Sequence, residues 1–157
     1  MIKVNDTIPA SELQHLTQAG MMNYSTSELF ANRKIVIFAV PGAFTPTCSE
    51  AHLPGYVVNF DEFKAKGVDA VFCTSVNDAF VMKAWGETQN AEKLMMLGDG
   101  DGAFASSLGL TMATGTFGGL RSQRYAMVVE NSVVTHLFVE KAQEFEVSSA
   151  ENVLAAL

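Results

Sequence analysis

The residues of this chain whose types and spacing could do chemistry gather in one stretch, Pro41-Gly42-Ala43-Phe44-Thr45-Pro46-Thr47-Cys48-Ser49-Glu50. Thr47 and Glu50 have the Thr-x-x-Glu spacing in which side chains satisfy each other's backbone donors at a helix start. Thr47 is then the expected cap and Cys48 the first helical residue. Unpaired N–H groups and the positive end of the helix dipole favour a thiolate at such a position. Cys48 is therefore expected to act as a nucleophile at neutral pH, not as a buried thiol serving as a small hydrophobe.

Other chemical candidates are scattered. His52 lies four residues after Cys48, on the same face of a helix, where it could orient the thiolate or the adjacent loop. Cys73 sits in an apolar run between Phe72 and Thr74 and reads as a core thiol. Asp99 and Asp101, flanked by glycines, lack the remaining ligands of a calcium loop and read as a solvated turn. The eight methionines read as core fillers, with Met127 a candidate for oxidation beside a reactive site.

The elements that must position these groups follow from patterning. Residues 2–24 are irregular, with Pro9 and Gly20 as breakers, and are expected to form edge-strand or hairpin material. A single helical turn near Glu28 precedes residues 35–40, an unbroken apolar run expected to be a central strand buried on both faces. A helix over 48–66 should kink near Pro54, which lacks a donor and clashes one turn back. Residues 69–76 form a second buried strand. Asn77-Asp78 then caps a helix whose Phe80, Val81, Ala84 and Trp85 share the spacing of one buried face. A third strand at 93–97, a glycine-rich turn and a short helix over 103–108 follow. The loop 114–119 leads to Arg121 and Arg124, then to a hairpin of strands 125–130 and 133–139, and Ser149 starts a final helix. This order indicates an α/β fold, a central mixed sheet with helices on both faces, in a single domain.

Composition narrows the partners. With 157 residues, a formal charge of −7 and ten basic residues spread along the chain, no basic patch is available for nucleic acid or an anionic membrane. Apolar stretches are strand-sized, far short of a membrane span. The N-terminus shows no secretory pattern, and two cysteines make no disulfide framework. A reducing, cytoplasmic setting is expected.

Pro41-x-x-x-Thr45-x-x-Cys48, with Arg124 directly before Tyr125 at a strand start, resembles the peroxiredoxins, and more narrowly their Prx5, or type II, subfamily. Residues 40–49, 52–55, 64–68, 75–81 and 124–129 all carry the likeness, which spans essentially the whole chain. It implies a thioredoxin-like fold and a thiol-specific peroxidase in which Cys48 attacks a peroxide oxygen and becomes a sulfenic acid. Thr45, Arg124 and Pro41 carry over as the residues around it, with Gly42, Thr47 and His52 in supporting positions. Adjacency to Tyr125 favours Arg124 over Arg121 for the guanidinium.

Many chains of this type carry a resolving cysteine just before the final helix, and residues 144–149 here contain none. No fused glutaredoxin domain is expected either. A one-cysteine cycle is expected, with no bound cofactor and an external thiol as reductant, glutathione with glutaredoxin ahead of thioredoxin. The resemblance also implies a homodimer packed near the active-site loops. Two other functions compete: a redox sensor or chaperone with little turnover, and a cysteine hydrolase, which would need His52 or His136 as a base.

Overall fold

The computed structural model describes residues 1–157. Seven strands form one mixed sheet in the order β2-β1-β5-β4-β3-β8-β9. At its centre β3 (Lys34–Ala39) runs parallel to β4 (Ala70–Ser75) and antiparallel to β8 (Tyr125–Glu130), with β5 (Met95–Gly98) parallel beyond β4. The expected hairpins are both present: β1 (Glu12–Thr17) with β2 (Gly20–Ser25) at one edge, β8 with β9 (Val133–Val139) at the other. A short pair outside the main sheet, β6 (Thr111–Ala113) with β7 (Leu120–Ser122), was not anticipated and brackets the glycine-rich loop.

The unbroken apolar run in β3 has the predicted cause. Val36, Phe38 and Val40 belong to one core, and Ile35, Ile37 and Ala39 to the other, so alternate side chains of one strand are buried on opposite faces. Helices cover both faces. The first core is closed by α2 (Leu53–Val58), α3 (Phe60–Ala65), α4 (Ala79–Thr88) and α6 (Ala150–Ala156), the second by α1 (Thr26–Phe30) and α5 (Ala103–Leu108). This is the thioredoxin-like arrangement that the sequence implied. No helix is long and apolar enough to cross a membrane.

Three local expectations are corrected. In α4 the buried face is Ala79, Met82, Trp85 and Gly86, while Phe80 stands 64% exposed. Asp78 caps the first turn, accepting from the Val81 N–H, and the helix packs on a face rotated from the predicted stripe. Asp99 is buried, not solvated: its two carboxylate oxygens accept from the Phe104 and Ala105 N–H groups at the start of α5. Burial raises its carboxyl, and those two hydrogen bonds pull the other way. Met127 is fully buried in the core opposite to Cys48, so it is a filler and no ready target for oxidant.

Candidate active site

The helix that carries Cys48 begins earlier than the Thr47–Glu50 pattern predicts. Pro46 and Thr47 are already helical, and Thr47 has φ −62 and ψ −38 with no side-chain cap bond. Thr45 takes the cap position, its carbonyl receiving the Ser49 N–H at 2.9 Å. Proline at the first helical position has its φ preset and loses no needed donor, so the Thr45-Pro46 pair was the better start signal. Cys48 is thus the third helical residue, still within the first turn.

From Cys48 to His52 the chain forms a π-helical turn, with the Leu53 N–H donating to the Cys48 carbonyl. The kink expected at Pro54 takes this form. Pro54 would crowd the Glu50 carbonyl in α geometry and cannot donate to it; one wider turn relieves the clash before α2 resumes.

The sulfur has no exposed surface, which corrects the expectation of an unburied thiol. Its surroundings are nevertheless polar on one side. Thr45 Oγ1 lies 3.0 Å from Cys48 Sγ and 2.7 Å from the Gly42 carbonyl oxygen, and Arg124 Nη2 donates to Sγ at 3.0 Å. The Thr45 hydroxyl has one proton, so it serves the Gly42 carbonyl or the sulfur, one at a time. A thiol can donate to Oγ1 while that proton rests on Gly42; a thiolate draws it to sulfur.

Arg124 reaches this point from the first residue before β8, which is antiparallel to β3, so the guanidinium arrives at the end of β3 from which the Cys48 loop departs. Its other terminal nitrogen, Nη1, donates to His52 Nδ1 at 2.8 Å. His52 is fully buried, with Nε2 3.1 Å from the Ser148 carbonyl. Nδ1 must accept and Nε2 must donate, so the imidazole is neutral. Burial first, and then the adjacent Arg124 cation, push its pKa down to about 3, against the opposing Ser148 carbonyl. Such a histidine is too weak a base for a hydrolase, and His136 is engaged with Thr135 on β9.

No carboxylate pairs with Arg124. The ion pairs are Lys34–Glu130, Lys83–Glu87 and Lys93–Asp61, all at the surface. The Arg124 charge is left to the sulfur, to His52 and to the Phe145 ring, whose centroid is 5.9 Å from the guanidinium carbon. Arg121, the competing arginine, donates instead to the Gly118 and Val76 carbonyls and braces the loop.

An open cleft of about 490 Å³, lined by Pro41, Thr47, Gln123, Arg124 and Phe145 among others, leads to this corner. Gly42 is buried beside it. A Cβ there would meet the Thr45 methyl at 3.2 Å, tight enough to move the residue that touches sulfur. Gly42→Ala is expected to slow peroxide reduction severalfold with only a small change in melting temperature, measured by stopped-flow kinetics and thermal unfolding on the same samples.

The sequence missed Glu140, Phe145 and Ser148, which enclose the Arg124–His52 pair, and Ser49, whose hydroxyl accepts from Trp85 Nε1 at 3.0 Å. Cys73 is where it was expected, fully buried mid-strand and unpaired. Burial pushes its thiol well up; the neighbouring Cys48 adds to this and Arg124 opposes it.

A family profile described as Redoxin matches residues 3–154. Peroxiredoxin-2D of Arabidopsis thaliana is 42% identical over 159 residues, covering 99% of this chain and 98% of that protein. The chain belongs to the peroxiredoxin family. Peroxiredoxins are peroxidases that use an external thiol reductant and need no prosthetic group. Among solved structures, reduced Prx3 of Vibrio vulnificus in complex with hydrogen peroxide has a TM-score of 0.98 and 62% identity, covering 99% of both chains. The Plasmodium falciparum antioxidant protein, a 1-Cys peroxiredoxin, has a TM-score of 0.92 and 32% identity over 97% of this peroxiredoxin and 96% of that chain.

The neutral, buried His52 carries a stability consequence for this peroxiredoxin. Its folded pKa, about 3, is below the unfolded value of 6.5, so between these values the unfolded chain binds more protons. Stability contributed by neutral His52 is expected to be complete above about pH 6.5 and to decline as pH falls toward about 3. Chemical denaturation of the parent and of His52→Gln across this range reads it: the variant should lose less on acidification.

Proposed function

We propose that this peroxiredoxin is of the Prx5 type and reduces hydrogen peroxide and small alkyl hydroperoxides through Cys48 as a one-cysteine enzyme. The observation that carries the reading is the pair of donors, Thr45 Oγ1 and Arg124 Nη2, each 3.0 Å from Cys48 Sγ. The thiolate attacks one peroxide oxygen, an S–O bond forms as the O–O bond breaks, and the electron pair leaves on the second oxygen. That oxygen takes a proton and departs as water or alcohol, and Cys48 remains as the sulfenic acid.

Donors fixed near the sulfur suit this transfer because they serve both oxygens without reorganising. Arg124 stabilises the charge that builds on the leaving oxygen, and Thr45 holds the incoming one. Pro41 lines the entry without contributing an N–H. Gly42 leaves room for Thr45, while Thr47 shapes the cleft. His52 holds Arg124. The complex of Vibrio vulnificus Prx3 with hydrogen peroxide supports the substrate.

An outside thiol finishes the cycle: it condenses with the sulfenic acid to a mixed disulfide with loss of water, and a second thiol releases Cys48. Burial of Cys73 and the likeness to a 1-Cys peroxiredoxin support this. Glutathione with glutaredoxin is favoured over thioredoxin, in a reducing cytoplasm. The π-helical turn ahead of Pro54 supports local unwinding that brings the oxidised sulfur out. Exposed Phe44, Phe80, Phe117 and Leu120, on the loops and helix start near the site, support a homodimer packed there; light scattering at micromolar concentration would read twice the chain mass.

Intact mass after one equivalent of peroxide tests the cycle. A sulfenic adduct that becomes a glutathione adduct on addition of glutathione is expected. Loss of two hydrogens would mean an internal Cys48–Cys73 disulfide and end the one-cysteine reading. Stoichiometric oxidation without turnover under every reductant would make the chain a sensor.

A further inference from the structure

We propose that Glu140 is a positioning residue for the Arg124 guanidinium, acting through the Ser148 carbonyl and His52. Glu140 lies just past β9 and only 8% exposed. Its N–H donates to the Arg124 carbonyl at 3.0 Å, so the two residues are backbone neighbours where β8 begins. Their charges nevertheless form no ion pair. Instead Glu140 Oε2 accepts from the Glu146 N–H at 2.8 Å, the Ser148 N–H at 2.8 Å and the Ser148 hydroxyl at 2.7 Å.

Those three bonds close the irregular segment between β9 and α6 into a fixed loop. The closure places two groups on the Arg124–His52 pair. The Ser148 carbonyl accepts from His52 Nε2 at 3.1 Å and from the Tyr56 hydroxyl at 2.7 Å. The Phe145 ring sits 4.9 Å from the His52 ring and beside the guanidinium. Without a carbonyl behind Nε2, only the Arg124 donor keeps Nδ1 bare, and the imidazole is no longer fixed from both sides. Without a bare Nδ1 it cannot accept from Arg124 Nη1, and the arginine is free to turn from the sulfur.

A carboxylate suits this task better than a neutral acceptor. Bonds to an ionised acceptor are shorter and about twice as strong as neutral ones. Burial works to raise the Glu140 carboxyl, but hydrogen bonds from Ser148, Glu146 and Val147 outweigh it and hold it below its ordinary value. A buried charge that takes no cation partner is costly unless fully hydrogen-bonded, and here the donors come from one loop.

The inference rests on the proposed role of Arg124 at Cys48, and the experiment separates the two. Glu140→Ala, Glu140→Gln, His52→Leu and the Glu140→Ala/His52→Leu double variant are compared with the parent for peroxide rate constant, melting temperature and the ¹⁵N signals of His52. Glu140→Ala is expected to lose about tenfold in rate, in line with other residues that orient a reactive group from behind, and Glu140→Gln to recover most of it. Added to His52→Leu, Glu140→Ala should cost nothing further, because the relay is already cut. The parent should show a single Nε2–H tautomer, and Glu140→Ala a mixture.

Independent, multiplying losses or an unchanged His52 tautomer in Glu140→Ala would overturn the proposal. If Glu140→Ala fails to fold, Ser148→Ala, which removes one of the three bonds and keeps the carbonyl, is read the same way: a smaller rate loss with tautomer mixing supports the proposal, an unchanged rate and tautomer refute it. Arg124→Ala run alongside reports on the arginine alone. Should that variant keep its rate, the reading of the site fails, while the His52 signals still decide what Glu140 does.

Discussion

Arg124→Lys is expected to lower the rate constant for peroxide reduction by about two orders of magnitude, the loss typical when a fixed donor to developing charge is removed. Lysine keeps the charge and loses the fork. In the parent, one guanidinium nitrogen touches Cys48 Sγ while the other holds His52 Nδ1. An ammonium cannot make both bonds with the geometry of a planar group. It is also shorter, so in place of the arginine it leaves either the sulfur or the histidine without a partner. Stopped-flow oxidation followed by Trp85, whose indole is tied to Ser49 one residue from Cys48, provides the readout. A loss smaller than threefold would show that charge alone suffices and that the fork is dispensable.

The second large effect divides the two cysteines. Cys48→Ser is expected to abolish turnover, because a neutral hydroxyl in the same pocket is a far poorer nucleophile toward peroxide oxygen. Cys73→Ser should leave peroxide consumption largely intact but lower stability by about 1–3 kcal/mol, the usual cost of a poorly paired hydroxyl in a core. Cys73 is enclosed between β3 and β5, opposite Phe38 on one side and Met96 on the other. Coupled peroxidase assays and denaturant titration distinguish the outcomes. Activity in Cys48→Ser would remove the foundation of the mechanism. A folded Cys73→Ser protein without turnover would make Cys73 the resolving thiol.

The sheet was legible because its signals are local. Residues 35–40 contain no polar interruption, and only a strand with two buried faces explains that; Asn131-Ser132 between two apolar runs marks a hairpin. At the site, Cys48 was marked by its local helix-start pattern, while Pro41 and Thr45 took their roles from the resemblance. Arg124 came from resemblance, since nothing in the 75 residues between it and Cys48 says that they meet.

What escaped was settled by tertiary closure. Thr47–Glu50 looked like a capping box, but Pro46 fixed the helix start two residues earlier. Burial of the sulfur depends on groups distant in sequence, Arg124 among them, closing on it. Glu140 ends an apolar strand and precedes Lys141, a pattern that reads as surface charge until Ser148 comes back to meet it. Asp99 misled in the same way, since a glycine-flanked aspartate reads as solvated unless the following helix turns its N–H groups upon it.

The single proton of Thr45 divides the catalytic cycle by time. A hydroxyl swings about its bond in picoseconds to nanoseconds, so passing from the Gly42 carbonyl to the sulfur requires one torsion and no movement of the chain. Readiness for peroxide is therefore re-established almost as soon as Cys48 is reduced. Local opening of a helical turn takes microseconds or longer. In the proposed cycle, peroxide meets a site that is already set, whereas the reductant waits for the turn to open.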